Sequence, residues 1–136
     1  MLYDVLIEVV RLLLDTHALL WWLADDPRLG QQTRAAIVEP DQEVLVSVAS
    51  LWEARIKQSL GKLELPDGFR TAIAEQGFRE LAVCGEHTDE LIRLPMHHRD
   101  PFDRLLVAQA RCEAPTLVSC DERVRLYDLA VLDAGQ

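Results

Sequence analysis

At 136 residues the chain is long enough for one domain with a real core and too short for two. Its formal net charge of −9 argues against broad nucleic-acid binding, which needs a basic surface; it leaves room for a local basic rim or a basic partner, and solubility alone explains it equally well. The longest unbroken apolar stretch, residues 18–24, is far too short to span a bilayer, and Asp4 and Glu8 interrupt any leader-like start.

The first expected element is a buried strand over residues 11–14, closed by Asp15. Residues 16–24 are apolar on most faces and predict a short, sunken helix, broken by Asp25-Asp26-Pro27. A more polar helix over 31–39 ends at Pro40, and the β-branched run 43–47 predicts the second strand. Ser50 and Glu53 form an S-x-x-E capping box with Ser50 as N-cap, opening a helix to about residue 60 with Gly61 just beyond it. A helix over 69–76, a strand over 79–83 and a helical turn or two over 87–94 follow, the last stopped by Pro95. Asp100 as N-cap and Pro101 at the first helical position open a helix running to about residue 113. A strand over 116–119, a short helix over 121–127 and a strand over 129–132 complete the series. Strands alternating with helices predict a parallel sheet covered on both faces. Trp52 reads as core; Trp21 and Trp22 cannot both point inward, so one is expected at an interface. Cys84, Cys112 and Cys120 have no metal-type spacing and read as free thiols in a reducing cytoplasm.

Four carboxylates carry the chemistry. Asp15 and Asp121 each follow a buried strand, and the carboxyl ends of strands in a parallel sheet form the crevice where ligands bind. Glu53 and Asp103 stand near helix starts. Unpaired acids that converge repel one another unless a divalent cation neutralises them, which points to magnesium or manganese and to phosphodiester hydrolysis. Plain readings exist beside this one: Glu53 as the third residue of a capping box, Asp103 as a first-turn acid complementing the helix dipole, Asp121 as a cap. Asp15 is hardest to explain away, because a core-ending Asp-Thr has no evident ion partner nearby. Thr16 and Ser119 suit hydrogen bonds to the acids or to a phosphate, and suit turns equally. Arg99, Arg104, Arg55 and Lys57 flank the acids and can hold phosphates, although solvated helix faces account for each of them. His97 and His98 read as a surface loop, since imidazole suits zinc or nickel better than magnesium.

The segment Leu14-Asp15-Thr16-His17 with its flanking leucines and tryptophans resembles the opening of PIN-domain ribonucleases, specifically the VapC-like toxins of type II toxin–antitoxin pairs. Ser50-Leu51-Trp52-Glu53, His98-Arg99-Asp100-Pro101-Phe102-Asp103-Arg104 and Ser119-Cys120-Asp121-Glu122 resemble the later blocks in the same order, over about residues 10–133. The resemblance implies an α/β/α sandwich with a parallel sheet of about five strands in the order 3-2-1-4-5, as a single PIN domain over residues 10–136. It implies a Mg²⁺-dependent endoribonuclease, with Mn²⁺ as the alternative ion and 5′-phosphate and 3′-hydroxyl products. Asp15 and Asp103 would be the direct metal ligands, with Glu53 and Asp121 supporting them. Asp100 competes for the third place, but the family's Asp precedes two helix alanines by five and seven residues, and Ala108 and Ala110 stand so from Asp103. Implied partners are RNA, a VapB-like antitoxin and a second copy of the chain, giving a homodimer and a heterotetramer or larger assembly with antitoxin. Arg55 and Cys120 depart from the family pattern, and residues 1–9 read as an N-terminal extension with Val10 as an alternative start. A catalytically inactive PIN-fold module that only binds RNA or a partner is the alternative. A phosphoryl-transfer enzyme of the haloacid-dehalogenase type is disfavoured, because Asp15-Thr16-His17 lacks the Asp-x-Asp pair.

Overall fold

The computed structural model describes residues 10–136; the expected extension over 1–9 lies outside the described residues. Five strands, β1 (Arg11–Leu14), β2 (Glu43–Ser47), β3 (Arg79–Leu81), β4 (Thr116–Ser119) and β5 (Val131–Asp133), form one sheet in the order β3-β2-β1-β4-β5. Every neighbouring pair is parallel, with Leu13 opposite Leu45 on one side and Leu117 on the other. The expected fold class and strand order are therefore observed.

Side chains alternate across a strand, so β1 serves two cores. Leu12 and Leu14 join Leu19, Ile37, Ala54, Phe69 and Ile73 on one face of the sheet. These come from helices α1 (Thr16–Leu23), α2 (Gln31–Val38), α3 (Val48–Ser59) and α4 (Phe69–Glu75). Leu13 points the other way, into Leu45, Leu106, Val107, Ala110 and Leu117. That face is covered by α5 (Gly85–Arg93) and α6 (Pro101–Glu113). Burial on both faces explains why β1 reads as an unbroken apolar run rather than an alternating one.

Several boundaries differ from expectation for physical reasons. The helix α3 begins at Val48, because β2 runs straight into it and the Ser47 hydroxyl caps it by accepting from the Ala49 N–H at 3.0 Å. Ser50 is therefore not the N-cap but a buried residue inside the helix, and Glu53 lies beyond the first turn. The capping-box account of Glu53 falls with it. Trp52, expected in the core, is 61% exposed and meets Phe102 edge-on at 5.3 Å. The inward face of α3 is formed by Ala49, Ser50, Glu53 and Ala54, and Trp52 lies off that stripe. Trp21 and Trp22 are both half-buried. β3 ends two residues early, and β5 starts later than expected, since the Leu129 N–H closes a tight turn onto Tyr127. The helix expected over 121–127 is a 3₁₀ helix, Glu122–Leu126. Gly61 follows α3 with φ +72°, the left-handed conformation that suits glycine after a helix.

Candidate active site: an acidic cleft at the sheet's switch point

The chain leaves β1 toward β2 on one side, and β4 lies on the other side of β1, so the carboxyl ends of β1 and β4 flank a switch point. The Asp15 N–H continues the ladder to the Val118 carbonyl at 3.0 Å, which brings the two strand ends together. Asp15 is then turned by the start of α1. It is the N-cap, with Oδ1 accepting from the Ala18 N–H at 2.8 Å, and is only 3% exposed.

Asp103 reaches the same place from α6. Its neighbour Asp100 caps that helix, Oδ1 accepting from the N–H groups of Phe102 at 2.8 Å and Asp103 at 3.1 Å. Capping occupies Asp100 and leaves Asp103 to line the cleft. Asp121 arrives from the loop after β4, where it caps the 3₁₀ helix through Oδ1 while presenting Oδ2 inward. Asp15, Asp103 and Asp121 thus line one cleft of about 350 Å³, together with His17, Cys120 and Arg123. Glu53 stands behind them. Its Oε1 accepts from the Thr16 hydroxyl at 2.6 Å and its Oε2 is 3.2 Å from the Lys57 ammonium. Ser119 accepts from the Asp121 N–H at 3.1 Å and its hydroxyl also bonds Asp15, tying the two acids to one strand end.

Burial raises the Asp15 carboxyl above its ordinary range, and the nearby Glu53 adds to the rise against hydrogen bonds from Ala18 and Ser119. Asp103 is pushed up to about 7, first by burial, then by Asp100. Burial would raise Asp121 too, but the Arg123 N–H and the His98 ring outweigh it and hold its carboxyl below the usual value. Among the described residues, no lysine or arginine pairs with Asp15 or Asp103. Two hard-oxygen acids strained by desolvation and like charge, without a cationic side chain, suit a divalent cation of the magnesium type.

His98, expected on a surface loop, is 4% exposed and lies inside the cluster. Its Nε2 is 2.7 Å from Asp121 Oδ2 and 3.1 Å from Asp103 Oδ2. One ligand atom from each of His98, Asp103 and Asp121 falls within 4.8 Å of the others, a tighter group than any that includes Asp15 or Glu53 among the described residues. The only sequence signal was its place two residues before a helix N-cap. His97 is exposed, as expected, and packs edge-on against Tyr127 at 5.0 Å.

The basic residues separate. Arg99 is exposed and directly follows His98 in the chain, Arg55 lies over Phe69 at 5.2 Å, and Lys57 is paired with Glu53. Arg104 is engaged by the loop between α5 and α6 and by Tyr127. Its guanidinium donates to the carbonyls of Leu91 at 3.2 Å, Pro95 at 3.2 Å and His98 at 3.3 Å, and to the Tyr127 hydroxyl at 3.3 Å. Lysine cannot span those acceptors, so Arg104→Lys is expected to cost about 1–3 kcal/mol in urea unfolding. A loss of RNA affinity with unchanged stability would show instead that Arg104 contacts substrate.

A parallel α/β/α domain with an acidic cleft at its switch point is the class of protein that fold and site define. The PIN domain family model matches residues 12–131, and the chain belongs to that family. PIN domains are generally nucleases. No curated protein matches the sequence. Among solved structures, the fold is similar to VapBC2 from Rickettsia felis bound to a promoter DNA fragment, with a TM-score of 0.66, 14% identity, and 90% of this chain and 98% of that one covered. It is also similar to VapBC-1 from nontypeable Haemophilus influenzae, with a TM-score of 0.63, 15% identity and coverage of 93% and 100%. FitAcB from Neisseria gonorrhoeae matches with a TM-score of 0.63 at 17% identity, covering 90% and 97%.

Proposed function

We propose that this protein is the toxin component of a toxin–antitoxin pair, a Mg²⁺-dependent endoribonuclease that also accepts Mn²⁺. The observation that carries the reading is the convergence of Asp15, Asp103 and Asp121, from three separate elements, on one cleft in which neither Asp15 nor Asp103 has a lysine or arginine partner among the described residues. Asp15 and Asp103 would hold the ion, with Asp121 and Glu53 supporting it. When bound, such a cation polarises the scissile phosphodiester and lowers the pKa of an attacking water.

The chain's own residues supply the rest. Glu53, oriented by Thr16 and Lys57, is the proposed acceptor of the water's proton. Thr16 and Ser119 fix the acids they bond. Exposed Arg99 is the better placed of the expected arginines to meet an RNA phosphate, since Arg104 is engaged by carbonyls. RNA as substrate rests on the family resemblance. An antitoxin partner is supported by neighbours whose structures are described as toxin–antitoxin or VapBC complexes. A homodimer in the cytoplasm completes the reading; among the described residues, no helix is long and apolar enough to cross a membrane.

Inducing the wild type in a bacterial host without antitoxin is expected to arrest growth and to generate new RNA 5′ ends at a recurrent site. Asp15→Ala, which costs only about 1 kcal/mol of helix cap, is expected to do neither. Equal arrest by both proteins would overturn the assignment.

A further inference from the structure

The loop between α5 and α6 places one side chain of a different kind inside the acid cluster, and all four of its polar groups have partners. The His98 N–H donates to the Tyr127 hydroxyl at 2.9 Å, and its carbonyl accepts from Arg104 at 3.3 Å. With the main chain held at both ends, the ring enters the cluster in a fixed orientation. Its Nδ1 lies 3.1 Å from the Asp100 backbone nitrogen. A backbone amide can only donate, so Nδ1 is the bare, accepting nitrogen. The ring's single hydrogen is therefore on Nε2, and the imidazole is neutral. That N–H is directed to Asp121 Oδ2 at 2.7 Å, and Asp103 Oδ2 lies 3.1 Å from the same nitrogen, off the N–H direction.

We infer that His98 is a positioning residue whose neutral ring, oriented by the Asp100 amide, uses Nε2–H to hold Asp121 beside Asp103, at the separation a single divalent cation requires. The inference rests on reading those two aspartates as cation-holding acids. The two carboxylates come from different elements, one from α6 and one from the loop after β4, so no local backbone geometry fixes their spacing. A neutral donor fixes the Asp121 oxygen and leaves intact the negative charge that attracts the ion; a lysine or arginine between the two carboxylates would cancel it. The same tautomer keeps His98 from being a ligand itself. Ligation through Nε2 would require the hydrogen to move to Nδ1 and the bond to the Asp100 amide to be given up. Groups that orient metal-binding carboxylates in this way typically contribute about 10–100-fold to metal affinity.

Two conservative variants separate the possibilities. The amide of His98→Gln can place its nitrogen close to where Nε2 stands and still donate to Asp121. The shorter His98→Asn matches Nδ1, keeps an acceptor for the Asp100 amide and cannot reach Asp121. The probe is Mn²⁺ alone, titrated calorimetrically into full-length wild type, both variants and Asp103→Asn, with thermal unfolding in EDTA confirming that each is folded. The expected result is affinity weakened about 10–100-fold in His98→Asn and near wild type in His98→Gln. Wild-type affinity in both variants would overturn the positioning role. Equal weakening in both would make His98 a ligand and overturn it as well. If wild type binds no Mn²⁺, or Asp103→Asn binds it as tightly as wild type, the reading of the acids fails and the inference with it.

Discussion

Replacing Asp15 by Asn is expected to lower RNA cleavage by more than about 10²-fold while leaving the metal-free protein as stable as wild type or more so. The two halves of that result have separate causes. Asn caps helices as well as Asp does, so the bond from the Ala18 N–H to Oδ1 survives the change. The lost charge, by contrast, is one that burial and Glu53 already oppose in the folded chain. Removing a buried, unpaired carboxylate relieves the fold and disables the site together. A structural aspartate would behave in the opposite way, with stability falling and activity following in proportion. Initial rates on a defined RNA, read beside melting curves in EDTA, distinguish the two patterns.

Asp103→Asn is expected to alter the pH dependence of stability as well as activity. Burial pushes the folded carboxyl up to about 7 from its ordinary 3.8, so its protonated form favours the native state. That contribution is fully present below about pH 4 and is lost as pH rises through about 7. The metal-free wild type should therefore melt at progressively lower temperature across that window, and Asp103→Asn should flatten the fall. A divalent cation binds the ionised form, so saturating Mn²⁺ should raise the wild-type Tm more at about pH 8 than at about pH 5. The variant should show little increment at either pH. An undiminished increment in Asp103→Asn would remove this residue from the metal site.

Where the chain's chemistry is local, its sequence is readable. The Leu12 to Leu14 run closed by Asp15 places a buried strand and an acid at its end without any tertiary information. Asp100-Pro101 opens α6 where a cap and a first-turn proline should, and the same capping explains why Asp103 rather than Asp100 faces the cleft. The α3 start differs from the expected one because two serines three residues apart, Ser47 and Ser50, both suit an N-cap. The strand before it decides between them, and β2 reaches Ser47 with no loop to spare.

His98, Arg104 and Trp52 were not legible for a common reason: their roles depend on partners distant in sequence. His98 is held by Tyr127 and bonds Asp121, Arg104 gathers the carbonyls of a loop, and Trp52 is left outside by the narrow inward stripe of its helix. An Arg or His beside an acid cluster looks like a substrate contact or a surface residue until the fold shows which carbonyls and carboxylates surround it.

The most direct test of the acid cluster as a cation-dependent hydrolytic site is the end chemistry of cleaved RNA. A 5′-labelled single-stranded RNA, incubated with purified protein in Mg²⁺ and in excess EDTA, should be cut only with the metal, leaving a 3′-hydroxyl on the labelled fragment and a 5′-phosphate on the other. Cleavage undiminished in EDTA, with a 2′,3′-cyclic phosphate on the labelled fragment, would mean that the RNA's own 2′-hydroxyl attacks without a metal, and would contradict the account.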